Sequence, residues 1–187
     1  LHKEYRRQRQ MCIRDRRALR RVQHYPCYEL NPYEASMIEV LLMSLDAEEL
    51  QRLAGSEGRK AVGIIAFYKD QADLIRERVI QMGRPDIERH LEIGTVDSFQ
   101  GKEYPLVILS AVRSNPDASL GFLVLPHRIN VAMSRAQRQL IIVGDATTVA
   151  AKPRGTRESA PLRRVYEAMA GRGGHRGIIV PSRMVMP

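Results

Sequence analysis

What the sequence lacks narrows the reading first. Two cysteines, Cys12 and Cys27, in 187 residues are too few for a disulfide framework or a zinc site, and they fit a reduced, cytoplasmic setting. No apolar run approaches the roughly 20 residues that cross a bilayer, so no membrane segment is expected. The basic, polar amino terminus has no apolar stretch behind it, which excludes a secretory signal. No G-x-G-x-x-G follows a strand, which excludes a dinucleotide-binding oxidoreductase. The phosphate-cradling G-x-x-x-x-G-K-S/T is missing as well; GRK at 58–60 lacks the upstream glycine. There is no internal repeat and no low-complexity tract.

What is present suits one soluble domain. The chain is 44% hydrophobic, enough for a real core at this length. Its net charge of +9 is unevenly spread. Residues 1–22 carry +7 and residues 152–187 carry +6, so the body between them is acidic, at −4. Basic ends around such a body suit phosphate binding or simply solvated tails. Residues 1–24 show neither a helical stripe nor strand alternation and are set apart as a basic tail. Their stretch RQMCIRDR resembles translated sequencing-adapter read-through, so no argument rests on it. Residues 25–173 form the predicted domain, and 174–187 a carboxyl-terminal tail.

Within the domain the pattern is regular. Asn31 can cap a helix with Pro32 in its first turn, and Met37, Ile38, Leu41, Leu42 and Leu45 follow at helical spacing. GSEG at 55–58 reads as a loop. AVGIIAF at 61–67 is a short continuous apolar run, the pattern of a strand buried on both faces. Residues 69–82 predict a helix with Ala72, Ile75, Val79 and Met82 on one face. Strands are predicted at 92–96, 106–111 and 140–143, and helices at 129–137 and 161–170, with a polar loop over 153–161. Buried strands alternating with helices give an α/β fold with a parallel sheet and right-handed crossovers.

Two blocks carry chemistry. IGTVDSFQGKEYPLVILSAVRS (93–114) places a polar loop, 97–103, between two buried strands, and ligands in open α/β sheets gather beyond the carboxyl ends of strands. Gly101 permits close backbone approach; Gln100 and Glu103 offer polar ends to a ribose or a phosphate-bound water, and Thr95 and Ser98 offer hydroxyls. On physics alone the loop equally well serves its own hydrogen bonds. GFLVLPHRINVAMSRAQRQLIIVGD (121–145) predicts a helix that delivers Arg135 near its end, before another buried strand. An arginine held there costs desolvation unless it meets an anion; a surface pairing with a carboxylate is the plainer alternative, for Arg128 and Arg138 too.

Together the blocks resemble motifs V and VI of superfamily 1 helicases, in the 5′-to-3′ translocating group that includes the nonsense-mediated-decay helicase. The matching runs are TVDSFQGKE (95–103), VRS (112–114), GFL (121–123), NVAMSRA (130–136) and VGD (143–145), in that order. GIIAFYKDQ (63–71) and LNPYEA (30–35) resemble two further family segments. The resemblance covers about residues 30–148. It implies a RecA-like sheet of the P-loop NTPase type, part of the second motor domain, working with ATP and Mg2+ held mainly by a first RecA-like domain in cis. Arg135 would be the arginine finger on the γ-phosphate. Glu103 would bind the ribose, with Gln100 and Gly101 shaping that edge, and no metal ligand is implied. Thr95, Ser98, Tyr68 and Gln71 would contact single-stranded nucleic acid; Tyr68 is open between base stacking, worth about 1–3 kcal/mol, and a packing role. Arg113 would order the loop between the blocks.

The chain departs from the family where Asp-Pro-Arg-Arg is replaced by Leu125, Pro126, His127 and Arg128, which puts the local ion pairing in doubt. It also lacks the family's Walker B Asp-Glu and Tyr-Arg-Met-His-Pro segments, so it is expected to start inside the second domain and, alone, to hydrolyse ATP negligibly. The alternative function is a stand-alone, non-catalytic nucleic-acid-binding module.

Overall fold

A computed structural model describes residues 30–55, 58–115, 120–149 and 161–170. Both cysteines, the tails at 1–24 and 174–187 and all of the 153–161 loop except Pro161 lie outside the described residues.

The first helix, α1 (Pro32–Met43), starts where its capping chemistry dictates: Asn31 is extended, and its side-chain oxygen accepts from the Glu34 N–H at 3.2 Å. A second helix, α2 (Ala47–Ala54), is capped by Asp46. Helix α2 is not among the elements expected from the sequence; of its eight residues, Leu50 and Ala54 are buried. Strand β1 (Val62–Ala66) is buried at all five positions. Helix α3 (Lys69–Gln81), a single turn α4 (Pro85–Glu88) that the sequence does not announce, and β2 (Leu91–Thr95) follow. Then come β3 (Tyr104–Ser110), α5 (Pro126–Met133), β4 (Ala136–Val143), the short α6 (Ala146–Val149) and α7 (Pro161–Ala170).

The four strands form one sheet in the order β2-β1-β3-β4, and every pairing is parallel. The expected α/β fold with a parallel sheet and flanking helices is what the chain adopts. Alternation of side chains across the strands divides the core in two. Val62, Ile64, Leu106 and Ile108 face α1 and α3 through Ile38, Leu42, Ile75 and Val79. Ile65, Val107 and Leu109 face α5, α7 and the 3-10 turn at 121–124 through Ile129, Ala132, Leu162 and Leu123. Each fully buried isoleucine or leucine contributes about 1.5–3 kcal/mol, so β1 and β3 anchor both layers.

The link from β2 to β3 decides where the site lies. It has no helix beyond one 3-10 turn, Val96–Phe99, laid flat against the sheet. Glycine makes the close approach possible. A Cβ at Gly63 would stand 2.8 Å from both the Phe99 and Tyr104 rings, and one at Gly94 would strike the Ser98 hydroxyl.

Candidate functional site

The β2–β3 link carries the chain from the carboxyl end of β2 to the amino end of β3. The polar loop at 97–103 therefore begins at the carboxyl ends of the strands, as the sequence suggests, with Asp97 and Ser98, but does not stay there. Its last residues descend to the opposite end, where Lys102 pairs with Glu92 of β2 at 2.6 Å. Burial pushes the Glu92 carboxyl up, but Lys102 and the Tyr104 hydroxyl outweigh it and hold the group below its usual range.

Arg135 is at that same amino end. Its helix stops earlier than predicted: α5 closes at Met133 with Ser134 as its cap, and Ala136 already belongs to β4. Arg135 therefore occupies the turn between them, and three neutral acceptors hold its guanidinium. Nε donates to the Val131 carbonyl at 3.0 Å, Nη1 to the Lys102 carbonyl at 3.0 Å and Nη2 to the Ser134 hydroxyl at 2.7 Å. Its own carbonyl accepts from the Tyr104 N–H at 2.9 Å. Among the described residues it makes no ion pair. Glu103, between the two residues Arg135 grips, is exposed and accepts from Gln137 at 3.3 Å. Gln100 and Gly101 are exposed on the same loop, Gly101 at a φ of 78°. Next to Arg135, β4 slips against β3, so that Tyr104 faces Ala136 but Leu106 faces Gln139. Pro105, which has no N–H for the ladder, sits at this irregularity.

The carboxyl end is built differently. Tyr68 and Thr95 lie there, on the neighbouring strand ends where Ala66 pairs with Thr95. Thr95 accepts from the exposed Ser98 hydroxyl at 2.7 Å. Tyr68 is only 4% exposed, its hydroxyl accepts from Arg113 Nε at 2.9 Å, and its ring packs on Phe122 at 5.3 Å. The Tyr68 side chain is thus packed between Arg113 and Phe122. Gln71 is wholly buried: its amide holds both backbone groups of Asn31, at 2.7 and 3.1 Å, and donates to Ser110 at 3.1 Å. It braces this end from inside. Phe122 is the exposed aromatic here, with Arg128 lying 4.8 Å over its ring. Arg128 also pairs with Asp97 at 2.6 Å.

With both ends described, the likeness to known proteins has a place to attach. The chain matches the family described as "AAA domain" over residues 5–147. It belongs to that family. The match begins inside the segment set apart as a basic tail. Relatives include Regulator of nonsense transcripts 1 of Dictyostelium discoideum, 38% identical over 126 residues, which is 66% of this chain and 9% of the relative. Helicase required for RNAi-mediated heterochromatin assembly 1 of Schizosaccharomyces pombe is 37% identical over 134 residues, 72% of this chain and 12% of the relative. Putative helicase MOV-10 of Gallus gallus is 34% identical over 141 residues, 65% of this chain and 14% of the relative. The AAA domain is thus of the superfamily 1 helicase kind with a RecA-like sheet, and the chain spans about a tenth of those relatives' length.

Sequence reasoning missed two acidic residues of this AAA domain. Glu34 is buried, and desolvation lifts its carboxyl to about 8 against the pull of Ser110 and the Val112 amide. Asp145 accepts from Ser114, Thr147 and Thr148; burial raises it, but those hydroxyls hold it below its usual range. Both were visible only as members of matched runs, because their partners are distant in sequence or on other elements.

Proposed function

We propose that this domain forms one wall of the nucleotide cleft of an ATP-dependent helicase or translocase, the first RecA-like domain of the same protein forming the other. The observation that carries the reading is Arg135: a partly exposed guanidinium held on neutral oxygens, with no carboxylate to neutralise it among the described residues. A cation fixed in that way costs no reorganisation when an anion arrives, which is what stabilising a transferring phosphoryl group requires. Glu103, Gln100 and Gly101 share the exposed loop that Arg135 grips through Lys102, so one edge presents a charge for the γ-phosphate and a carboxylate for the ribose. The family resemblance assigns Mg2+ and the phosphate cradle to the first domain.

The carboxyl end, with Thr95, Ser98, Arg113 and Phe122, is assigned to single-stranded nucleic acid. The names of the relatives, two of which include the word helicase, support this. The test is ATP turnover with and without single-stranded nucleic acid, for this chain alone and joined to its first RecA-like domain. Negligible turnover alone and stimulated turnover when joined are expected. Stimulated hydrolysis by the chain alone would overturn the division of labour.

A further inference from the structure

We propose that Glu34 is a positioning residue: from inside the domain it holds shut the γ-turn at 111–113 and so fixes Arg113 at the carboxyl end of the sheet. The turn is unusual. Arg113 N–H donates to the Ala111 carbonyl at 2.8 Å, and Val112 between them has a φ of 68°, the sole positive φ of a non-glycine among the described residues. This form of γ-turn is rare and strained, and a β-branched residue suits it poorly. Something must therefore hold it.

Both backbone groups of Val112 are held by the pair that caps α1. Its N–H donates to Glu34 Oε2 at 2.8 Å, and its carbonyl accepts from Asn31 Nδ2 at 3.0 Å. Glu34 Oε2 also accepts from Ser110 Oγ at 2.6 Å, and Oε1 accepts from Asn31 Nδ2 at 3.2 Å. Gln71 then fixes Asn31 from both sides. A carboxyl group in this setting is costly to bury, and an apolar side chain would fill the same core without that cost. Its purpose is legible in what it grips, which is the strained turn.

The residues that follow are each held by a different element. Arg113 donates to Tyr68 and lies 5.2 Å over its ring, Ser114 donates to Asp145 at 2.9 Å, and the Asn115 N–H donates to Thr148 at 3.0 Å. The turn is a preformed bracket with Glu34 at its root. Its use in binding rests on the reading that nucleic acid passes this end.

The experiment combines hydrogen exchange at the amides of 112–115 with the affinity for labelled oligo-dT and oligo-U, on the full chain. The variants are Glu34→Ala, the volume-conserving Glu34→Gln, Val112→Gly, and Glu34→Ala combined with Val112→Gly. Glu34→Ala should speed exchange about tenfold and weaken binding by a similar factor, and Glu34→Gln should do so less. Adding Val112→Gly to Glu34→Ala should recover most of both losses, because glycine takes a positive φ without a clamp. A role in packing alone would show no such recovery. Unchanged exchange in folded Glu34→Gln, or no recovery in the double variant, overturns the proposal. If exchange behaves as expected while the unaltered chain binds neither oligonucleotide, Glu34 keeps its role and the nucleic-acid reading of this end fails.

Discussion

The two ends of the sheet solve opposite problems. At the amino end, Arg135 and Glu103 face outward from a short turn and an exposed loop, and neutral oxygens hold the guanidinium. At the carboxyl end the polar groups turn inward: Glu34, Gln71 and Ser110 are buried and bonded to one another or to Asn31 and Val112. One end keeps its charge available, and the other spends its polarity on holding backbone in place. Helix α5 joins them. It starts near the Arg128–Asp97 pair and, about 12 Å of helix later, delivers the chain to Arg135.

The difference can be broken most strongly at Glu34. Glu34→Ala leaves the Ser110 hydroxyl, the Val112 N–H and an Asn31 N–H short of an acceptor, and should cost about 3 kcal/mol in urea unfolding. Gly63→Ala attacks the link between the ends instead. Its new methyl meets the Phe99 and Tyr104 rings, and about 2 kcal/mol of lost stability is expected.

A further effect is pH-dependent, and it is smaller only per pH unit. The folded chain keeps the Glu34 proton up to about pH 8, whereas an unfolded glutamate releases it near 4.5. Between those values the folded state binds more protons, so stability falls as pH rises, by at most about 1.4 kcal/mol per unit. Two groups act the other way. His90, lowered by burial and by Arg89 and Lys60, adds stability as pH rises toward 6.5. Asp145, held low, contributes stability above 3.8 that is lost as pH falls further. Comparing urea midpoints of the unaltered chain and Glu34→Gln from pH 5 to 9 isolates the Glu34 slope, which should vanish in the variant.

The comparison also explains how much the sequence revealed. The buried strands, the Asn31 cap and the helix at 69–82 were legible because local periodicity and capping determine them. Arg135 and Glu103 were singled out by the runs that resemble a known family, and the structure leaves the first partly exposed and the second exposed. Their place at the amino end was not legible, since it depends on Phe99 lying against Gly63, a contact across 36 positions that leaves no local pattern. The burial of Gln71 was not legible for the same reason: nothing near it in sequence indicates that Asn31 and Ser110 occupy its amide. Glu34 looked like an ordinary residue of a helix start because its main partners lie 76 and 78 positions away.

The most direct test of the account is Arg135→Ala in the chain joined to the first RecA-like domain proposed for it, with ATP turnover and single-stranded nucleic-acid affinity measured on the same sample. The account predicts a fall in turnover of about a thousandfold, with nucleic-acid affinity and the urea midpoint nearly unchanged, because Arg135 belongs to the nucleotide end alone. Turnover near that of the unaltered protein, or a loss of nucleic-acid affinity as large as the loss of turnover, would contradict it.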